Sequence, residues 1–167
     1  MHYVVQVMGG RETSIRALCE RILDPKCYQE CFIPLCEKMK KYQGEWRKTQ
    51  EILFPGYLFF KTNTIEALAT ELRKIPRFTK VLGNGSFQPL SSADLMLIDR
   101  LTGNERVLKI STGHIVDDVV TIERGPLVGF EGSIKKIDRH KRSALVELRF
   151  CGRTIQAKVG LEIVSKS

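Results

Sequence analysis

The sequence lacks a long hydrophobic run. Its longest apolar stretch, residues 52–60, is interrupted by a Pro-Gly pair, whereas a membrane-spanning helix needs about 20 apolar residues. The amino terminus has neither the basic segment nor the apolar length of a secretory signal. Glycine and proline, at 13 and 6 of 167 residues, are too scarce for a fibrous or low-complexity chain. These absences predict a globular cytoplasmic protein with no membrane partner.

Familiar catalytic motifs are also missing. The chain has no glycine-rich phosphate loop followed by lysine, no Gly-x-Ser-x-Gly and no His-Glu-x-x-His. Gly9-Gly10 is only a dipeptide before a helix, which more often serves a turn than a phosphate. The sequence therefore predicts a protein that is not an enzyme and that needs no cofactor.

The five cysteines are an odd number without secretory context, which disfavours a disulfide framework. Cys27, Cys31 and Cys36 are clustered, so a zinc site is one alternative. Their spacing does not repeat a short cysteine pair, and none of the three histidines is nearby in the sequence. We expect reduced thiols packed in the core and no metal.

Positive charge is in excess and unevenly distributed. The chain has 27 lysines and arginines against 19 acids, a net charge of +8 with a pI of about 9.4. The first basic segment, residues 38–48, contains Lys38, Lys40, Lys41, Arg47 and Lys48. The second basic segment, residues 135–142, contains Lys135, Lys136, Arg139, Lys141 and Arg142. One such segment is usually a solvated face, but two in a small basic protein favour a nucleic-acid partner.

The first half of the chain mixes helix and strand patterns. Strands are expected at residues 3–7 and 58–60, and a hairpin is expected around a turn at Gln43-Gly44. Apolar residues at helical spacing predict helices over 12–23 and 65–75. A third helix is expected after the capping signal at residues 91–94.

The second half changes to short strands separated by turn residues. We expect a linker at 104–116, in which Val107, Leu108 and Ile110 suggest some packing. Five strands are then expected, at residues 119–123, 132–137, 144–150, 154–159 and 161–164. About fifty residues in five short strands predict a small β-barrel.

Two motifs carry a resemblance to a known family. The first is Phe54-Pro55-Gly56-Tyr57-Leu58-Phe59, after a basic hairpin; the second is Gly125-Pro126-Leu127-Val128-Gly129-Phe130-Glu131-Gly132, with Gly152-Arg153 some distance beyond. In this order the chain resembles the NusG family of transcription elongation factors. The resemblance implies an α+β fold: an NGN-like domain at 1–103, with an antiparallel sheet and flanking helices, a linker at 104–116, and a five-stranded SH3-like β-barrel, the KOW domain, at 117–167.

In this family the NGN domain presents an apolar surface to the clamp helices of RNA polymerase. By resemblance, the polymerase-binding surface consists of Tyr3, Phe54, Pro55, Tyr57 and Phe59. The alternative is that these rings are core, because only one face of a strand with period-two alternation points outward.

The basic character of the first half favours a specialised paralogue of the RfaH or LoaP kind, which a nucleic-acid signal recruits to particular operons. The residues expected to contact DNA near the transcription bubble or a leader RNA hairpin are Arg11, Arg16, Lys38, Lys40, Lys41, Arg47, Lys48 and Arg77. Cations on a helix face and a hairpin tip can bind a phosphate backbone.

The KOW motif departs from the family pattern at one position. Members that couple to a ribosomal small-subunit protein or to Rho commonly have an aromatic residue before Gly-Arg, and here Cys151 holds that place. The expected partner surface therefore consists of Phe130, Cys151 and Arg153, with that coupling left open.

The cysteine-rich, basic character most resembles the LoaP type. We predict a factor that binds RNA polymerase and promotes processive elongation or antitermination at particular operons. The alternatives are a general NusG elongation factor and a KOW-containing, ribosome-associated RNA-binding protein.

Overall fold

A computed structural model describes residues 1–75, 80–81 and 87–167 of the chain. Its helices in these ranges are α1 (Glu12–Ile22), α2 (Ile65–Leu72) and α3 (Ser92–Thr102). Its strands are β1 (His2–Gln6), β2 (Glu30–Phe32), β3 (Leu35–Tyr42), β4 (Glu45–Ile52), β5 (Tyr57–Lys61), β6 (Lys80–Val81), β7 (Gln88–Pro89), β8 (Val107–Leu108), β9 (Ser111–Val116), β10 (Val119–Arg124), β11 (Ile134–Asp138), β12 (Ser143–Phe150) and β13 (Arg153–Lys166). The expected α+β class is confirmed. In the described ranges no helix has the length and apolarity to cross a membrane.

The chain divides into two compact units. The first consists of Met1–Ile33 with Phe54–Leu95, and the second of Pro34–Leu53 with Met96–Ser167. The hairpin formed by β3 and β4 thus groups with the carboxyl-terminal strands, whereas the sequence placed it in the NGN-like half.

The first unit is built on an antiparallel sheet in the strand order β2-β5-β1-β6, with β7 also paired to β1. Val4 lies opposite Phe59 and Val5 opposite Leu58, and all four residues are buried. Because neighbouring residues of a strand point to opposite faces, this sheet buries apolar side chains on both sides. The continuous apolar run of β5 is typical of a strand covered on both faces.

The helical periodicity of the first unit is confirmed in part. Ile15 and Cys19, one turn apart on α1, are completely buried, as are Leu68 and, nearly, Leu72 on α2. Helix α2 ends at Leu72, so the expected helix to residue 75 is too long; a turn in which the Ile75 N–H donates to the Leu72 carbonyl follows it.

The cysteines are free thiols, and all except Cys151 are buried. The expectation that they pack in the core is confirmed for these four. A hydrogen bond with Cys19, together with burial, raises the pKa of Cys31, so the Cys31 thiol stays protonated.

The second unit contains two sheets. Hairpin β3–β4 is antiparallel around the expected turn at Gln43-Gly44, and β8 joins it in parallel beside β3. The other sheet has the order β10-β9-β13-β12-β11. Among the described residues its end strands β10 and β11 are not paired with each other. The sheet has five strands, although they are not the five expected ones, and closure into an SH3-like barrel stays a prediction.

The expected linker contains two of these strands, which corrects the prediction for residues 107–108 and 111–116. In β9 the buried positions are Ser111, Gly113 and Ile115, which alternate with partly exposed or exposed residues. A β-carbon added to Gly113 would lie 2.4 Å from the Thr121 carbonyl oxygen. This close approach requires small inward-facing residues. With serine and glycine at these positions, the sequence does not show the alternation of apolar and polar residues that predicts a strand.

The last two expected strands form the single strand β13, so the prediction of two strands was wrong. The sequence interpretation broke the strand at Gly160. In the structure Gly160 is buried, and an added β-carbon would lie 2.6 Å from the Glu37 carbonyl oxygen and 2.7 Å from Ile110 Cγ1. The glycine therefore permits close packing within the second unit and does not end the strand.

Candidate functional site

Two of the five residues expected to bind polymerase are core residues. Phe54 and Phe59 have 2% and 0% of their surface exposed. The Phe59 ring stacks on Phe32 with centroids 5.3 Å apart and contacts Phe54 at 6.2 Å. These two rings therefore cannot form the expected polymerase surface, because the first unit's sheet is covered where they lie.

The other three candidates do not share one face of the sheet. Pro55 is exposed, and Tyr3 and Tyr57 are half-buried. Tyr57 lies opposite Gln6 and Tyr3 opposite Phe60, and directly opposed residues point to the same side. Because Tyr3 and Gln6 are an odd number of positions apart on β1, Tyr3 and Tyr57 point to opposite faces. The surface that remains is the turn containing Pro55 and Tyr57.

This turn is held by a carboxylate that the sequence interpretation did not single out. Glu12, in the first turn of α1, has only 2% of its surface exposed. Its Oε1 accepts hydrogen bonds from the Gly56 N–H at 2.7 Å and the Gly10 N–H at 3.2 Å. Gly56 has a φ of +87°, in the left-handed region. An acid that follows a Gly-Gly pair at a helix start was the only sequence signal for this contact.

The first basic segment lies along both strands of hairpin β3–β4. Three of its lysines are paired to acids of the same hairpin: Lys38 and Lys40 bind Glu51, and Lys48 lies 3.7 Å from Glu37. The Lys38 Nζ donates to Glu51 Oε2 at 2.6 Å. Hydrogen bonds from Lys38 and then Lys40 lower the pKa of Glu51 to about 2. Two lysines thus share one acid, and the hairpin stays basic.

The second basic segment reaches the first through the turn between β11 and β12. The Lys141 N–H donates to Asp138 Oδ1 at 3.0 Å, which shapes the turn, and this hydrogen bond lowers the pKa of Asp138. His140 and Lys141 line a cavity of about 720 Å³. The full lining, all within the second unit, is Lys38, Met39, Lys40, Lys41, Trp46, Glu51, His140, Lys141, Ser143 and Lys158. We call this cavity the basic cleft.

The basic cleft brings together groups that are far apart in the sequence. Lys158 on β13 belongs to neither basic segment, and its carbonyl accepts a hydrogen bond from Cys36 Sγ at 3.7 Å. The Arg142 guanidinium lies 4.2 Å from the centre of the Trp46 ring. No local pattern in the sequence links β13 to the hairpin, so it did not predict that Lys158, Trp46 and Ser143 line one cleft.

The remaining cations lie elsewhere. Lys135 and Lys136, although in the second basic segment, line a different cavity of about 260 Å³ with Ile115 and Glu131 among its walls. In the first unit, Arg11 is exposed at the start of α1, and Arg16 pairs with Glu20 at 3.2 Å. Arg77 lies outside the described residues. Arg47 is exposed on the hairpin, 5.3 Å over the Tyr42 ring.

The expected KOW partner residues lie in two places of the second unit, just before β11 and at the turn between β12 and β13. Phe130 is half-buried, with the Arg100 guanidinium 4.6 Å above its ring. Cys151 and Gly152 form the turn between β12 and β13, with φ values of +52° and +71°. Two consecutive positive φ values suit a tight hairpin turn, and Arg153 is exposed at its end. The Cys151 position is thus a tight-turn position in this chain.

These features define a two-unit α+β protein with a cation-lined cleft. The family model described as "Transcription termination factor nusG" matches residues 1–99, and the chain belongs to this family. The NusG resemblance found from the sequence motifs is confirmed.

Relatives support the same assignment over nearly the whole chain. The transcription termination/antitermination protein NusG of Vibrio vulnificus is 25% identical over 171 residues, covering 98% of this chain and 94% of the relative. The protein of that name from Helicobacter pylori strain 26695 is 25% identical over 165 residues, covering 94% and 93%. A solved structure of Thermotoga maritima NusG matches with a TM-score of 0.60 and 26% identity, covering 97% of this chain and 93% of that one. The chain is a NusG-type transcription factor.

Proposed function

We propose that this protein binds RNA polymerase and promotes processive elongation and antitermination at particular operons, to which a nucleic-acid signal recruits it. The observation that supports recruitment by nucleic acid is the basic cleft, which is lined by residues of both basic segments within one unit. A cleft lined by cations focuses the positive electrostatic potential of the protein and attracts polyanions. Specialised paralogues of the LoaP type combine polymerase binding with recruitment by a nucleic-acid signal.

The proposed polymerase contact is the turn containing Pro55 and Tyr57. It is the exposed part of the motif that resembles the family's polymerase-binding segment, and Glu12 fixes its backbone. An aromatic ring and a proline on a rigid turn suit the apolar groove of a helical pair such as the polymerase clamp helices. Binding there would favour the closed, processive enzyme over paused states.

The test is transcription through an intrinsic terminator by purified RNA polymerase, with and without a candidate leader RNA on the template. We expect read-through to increase with the protein and to require the leader. Read-through on every template would instead assign the protein as a general NusG elongation factor. Unchanged termination on all templates would contradict the proposal.

Tyr57→Ala tests the contact surface in the same system. It removes a half-buried ring from the turn, and we expect polymerase binding to weaken about tenfold, the usual range for an interface anchor. Tyr42→Ala, which removes an exposed tyrosine from the hairpin, is the matched control and should bind polymerase as the unmodified protein does. Full polymerase binding by a folded Tyr57→Ala protein would exclude this surface.

A further inference from the structure

The basic cleft has the size and charge of a nucleotide site. Its volume of about 720 Å³ falls in the range of small-ligand pockets, about 300–1,000 Å³. Five lysines line it against the single acid Glu51, whose low pKa keeps it charged and bound to Lys38 and Lys40. The excess of cations favours an anionic ligand, and a phosphodiester is the anion that a NusG-type factor meets on nucleic acid.

The aromatic wall of the cleft indicates more than phosphate binding. Trp46 is the only tryptophan of the chain. Its ring is half-buried, lines the cleft and carries the planar Arg142 guanidinium at 4.2 Å. Unpaired bases stack on aromatic rings and on arginine planes, and every base has a suitable face. Trp46 and Arg142 thus provide, beside the lysines, the two kinds of planar group on which unpaired bases stack.

A third observation is an unsatisfied hydroxyl in the wall of the cleft. Ser143 has 4% of its surface exposed, and no described residue hydrogen-bonds to its Oγ. Buried polar atoms nearly always have a partner, so an exception requires an explanation. A ligand with hydrogen-bonding groups on a planar ring would supply the missing partner.

We propose that the basic cleft binds an unpaired nucleotide of a single strand. The base stacks on Trp46 and hydrogen-bonds Ser143 Oγ, while Lys141 and Lys158 bind the adjacent phosphates. This inference rests on the proposed function and names the nucleic-acid class that its recruitment step uses. A duplex does not fit, because its bases are paired and stacked within the helix. RNA and DNA strands share the recognised chemistry, and the experiment separates them.

The experiment measures binding of the full chain, without polymerase, to fluorescently labelled oligouridylate and oligothymidylate of about eight nucleotides, and to a duplex of the same length. Anisotropy gives the affinities, and Trp46 fluorescence reports stacking directly. We expect both single strands to quench Trp46 and to bind more tightly than the duplex. Tighter binding of oligouridylate would identify RNA as the physiological strand, and tighter binding of oligothymidylate would identify DNA.

Matched variants locate the site. Trp46→Ala should weaken single-strand binding about tenfold. Tyr42→Ala is the control, because it removes an aromatic ring of the same hairpin that lies under Arg47, and it should not weaken binding. Lys141→Gln should weaken binding, whereas Lys135→Gln, in the same basic segment but outside the cleft, should not. Trp46→Phe keeps an aromatic face and should retain most of the affinity. This variant shows whether weak binding by Trp46→Ala results from lost stacking or from a folding defect.

Three results would overturn the inference: equal effects of Lys141→Gln and Lys135→Gln, unchanged Trp46 fluorescence at saturating strand, or tighter binding of the duplex. Failure of this inference is distinguishable from failure of the proposed function, because the anisotropy and Trp46 fluorescence measurements contain no polymerase. Loss of strand binding with leader-dependent read-through intact would remove the nucleotide site alone. Strand binding at the cleft with no effect on transcription would remove the polymerase function alone.

Discussion

At the scale of single residues, Glu12 links two segments of the first unit. Its carboxylate is buried and accepts hydrogen bonds from the backbone of Gly56 and Gly10. Bonds of this kind, between an ionised acceptor and backbone N–H groups, are roughly twice as strong as neutral ones. The contact fixes the turn of Pro55 and Tyr57 against the start of α1, so the proposed polymerase surface is ordered before binding.

We predict that Glu12→Ala destabilises the protein by about 1–3 kcal/mol, because two N–H groups at a partly buried site lose their acceptor. Urea unfolding measures the loss. Glu20→Gln is the control: Glu20 is exposed on the same helix and pairs with Arg16 at the surface, and such pairs contribute at most about 1 kcal/mol. Equal midpoints for Glu12→Ala and the unmodified protein would show that the Glu12 contact contributes nothing to stability.

At the scale of secondary-structure elements, strands with alternating hydropathy were predictable and strands lined by small residues were not. In β12 the buried Val146 and Leu148 alternate with residues that are less buried, and the expected strand is confirmed. In β9 the inward positions hold Ser111 and Gly113. Local hydropathy cannot show that an opposing backbone leaves no room for a larger side chain, which is why a strand was taken for a linker.

The stability of hairpin β3–β4 should depend on pH through Glu51. The pKa of Glu51 is lowered from 4.5 to about 2 by Lys38 and Lys40. The ionised carboxylate therefore stabilises the hairpin fully above pH 4.5, and this stabilisation is lost as the pH falls through about 2. Glu51 is partly exposed, so solvent screening reduces the effect.

We expect Glu51→Gln to lose less stability than the unmodified protein between about pH 6 and about pH 3. Trp46 lies in the same hairpin, so its fluorescence during urea unfolding is a suitable measurement. Glu45→Gln, which removes an exposed acid 3.9 Å from Arg47, should follow the unmodified protein. The same pH profile for Glu51→Gln and the unmodified protein would contradict the role assigned to Glu51.

At the scale of the whole molecule, the family was accessible from the sequence, but the order of elements and the site were accessible only in part. The basic segments were visible as charge runs, yet a run does not show which cations converge. Lys141 joins the basic cleft while Lys135, in the same run, lines another cavity. Trp46 and Arg142 meet only through the tertiary fold. Likewise, the apolar motif identified the family, but the burial of Phe59 depends on what covers the sheet.

Two double variants of equal charge distinguish the effect of where the cations lie from the effect of the total positive charge. The double variants Lys141→Gln with Lys158→Gln and Lys135→Gln with Lys136→Gln each lower the net charge of +8 by the same amount. If overall charge drives nucleic-acid binding, both should weaken it equally. If phosphates bind in the basic cleft, only the first pair contacts them, and each lost contact lowers the salt dependence of single-strand binding by about 0.7 in log–log slope. We therefore expect a shallower slope for the first double variant and an unchanged slope for the second, measured by anisotropy across a salt series. Parallel slopes for the two variants would mean that the cleft holds no phosphate and that the positive charge acts as a diffuse field.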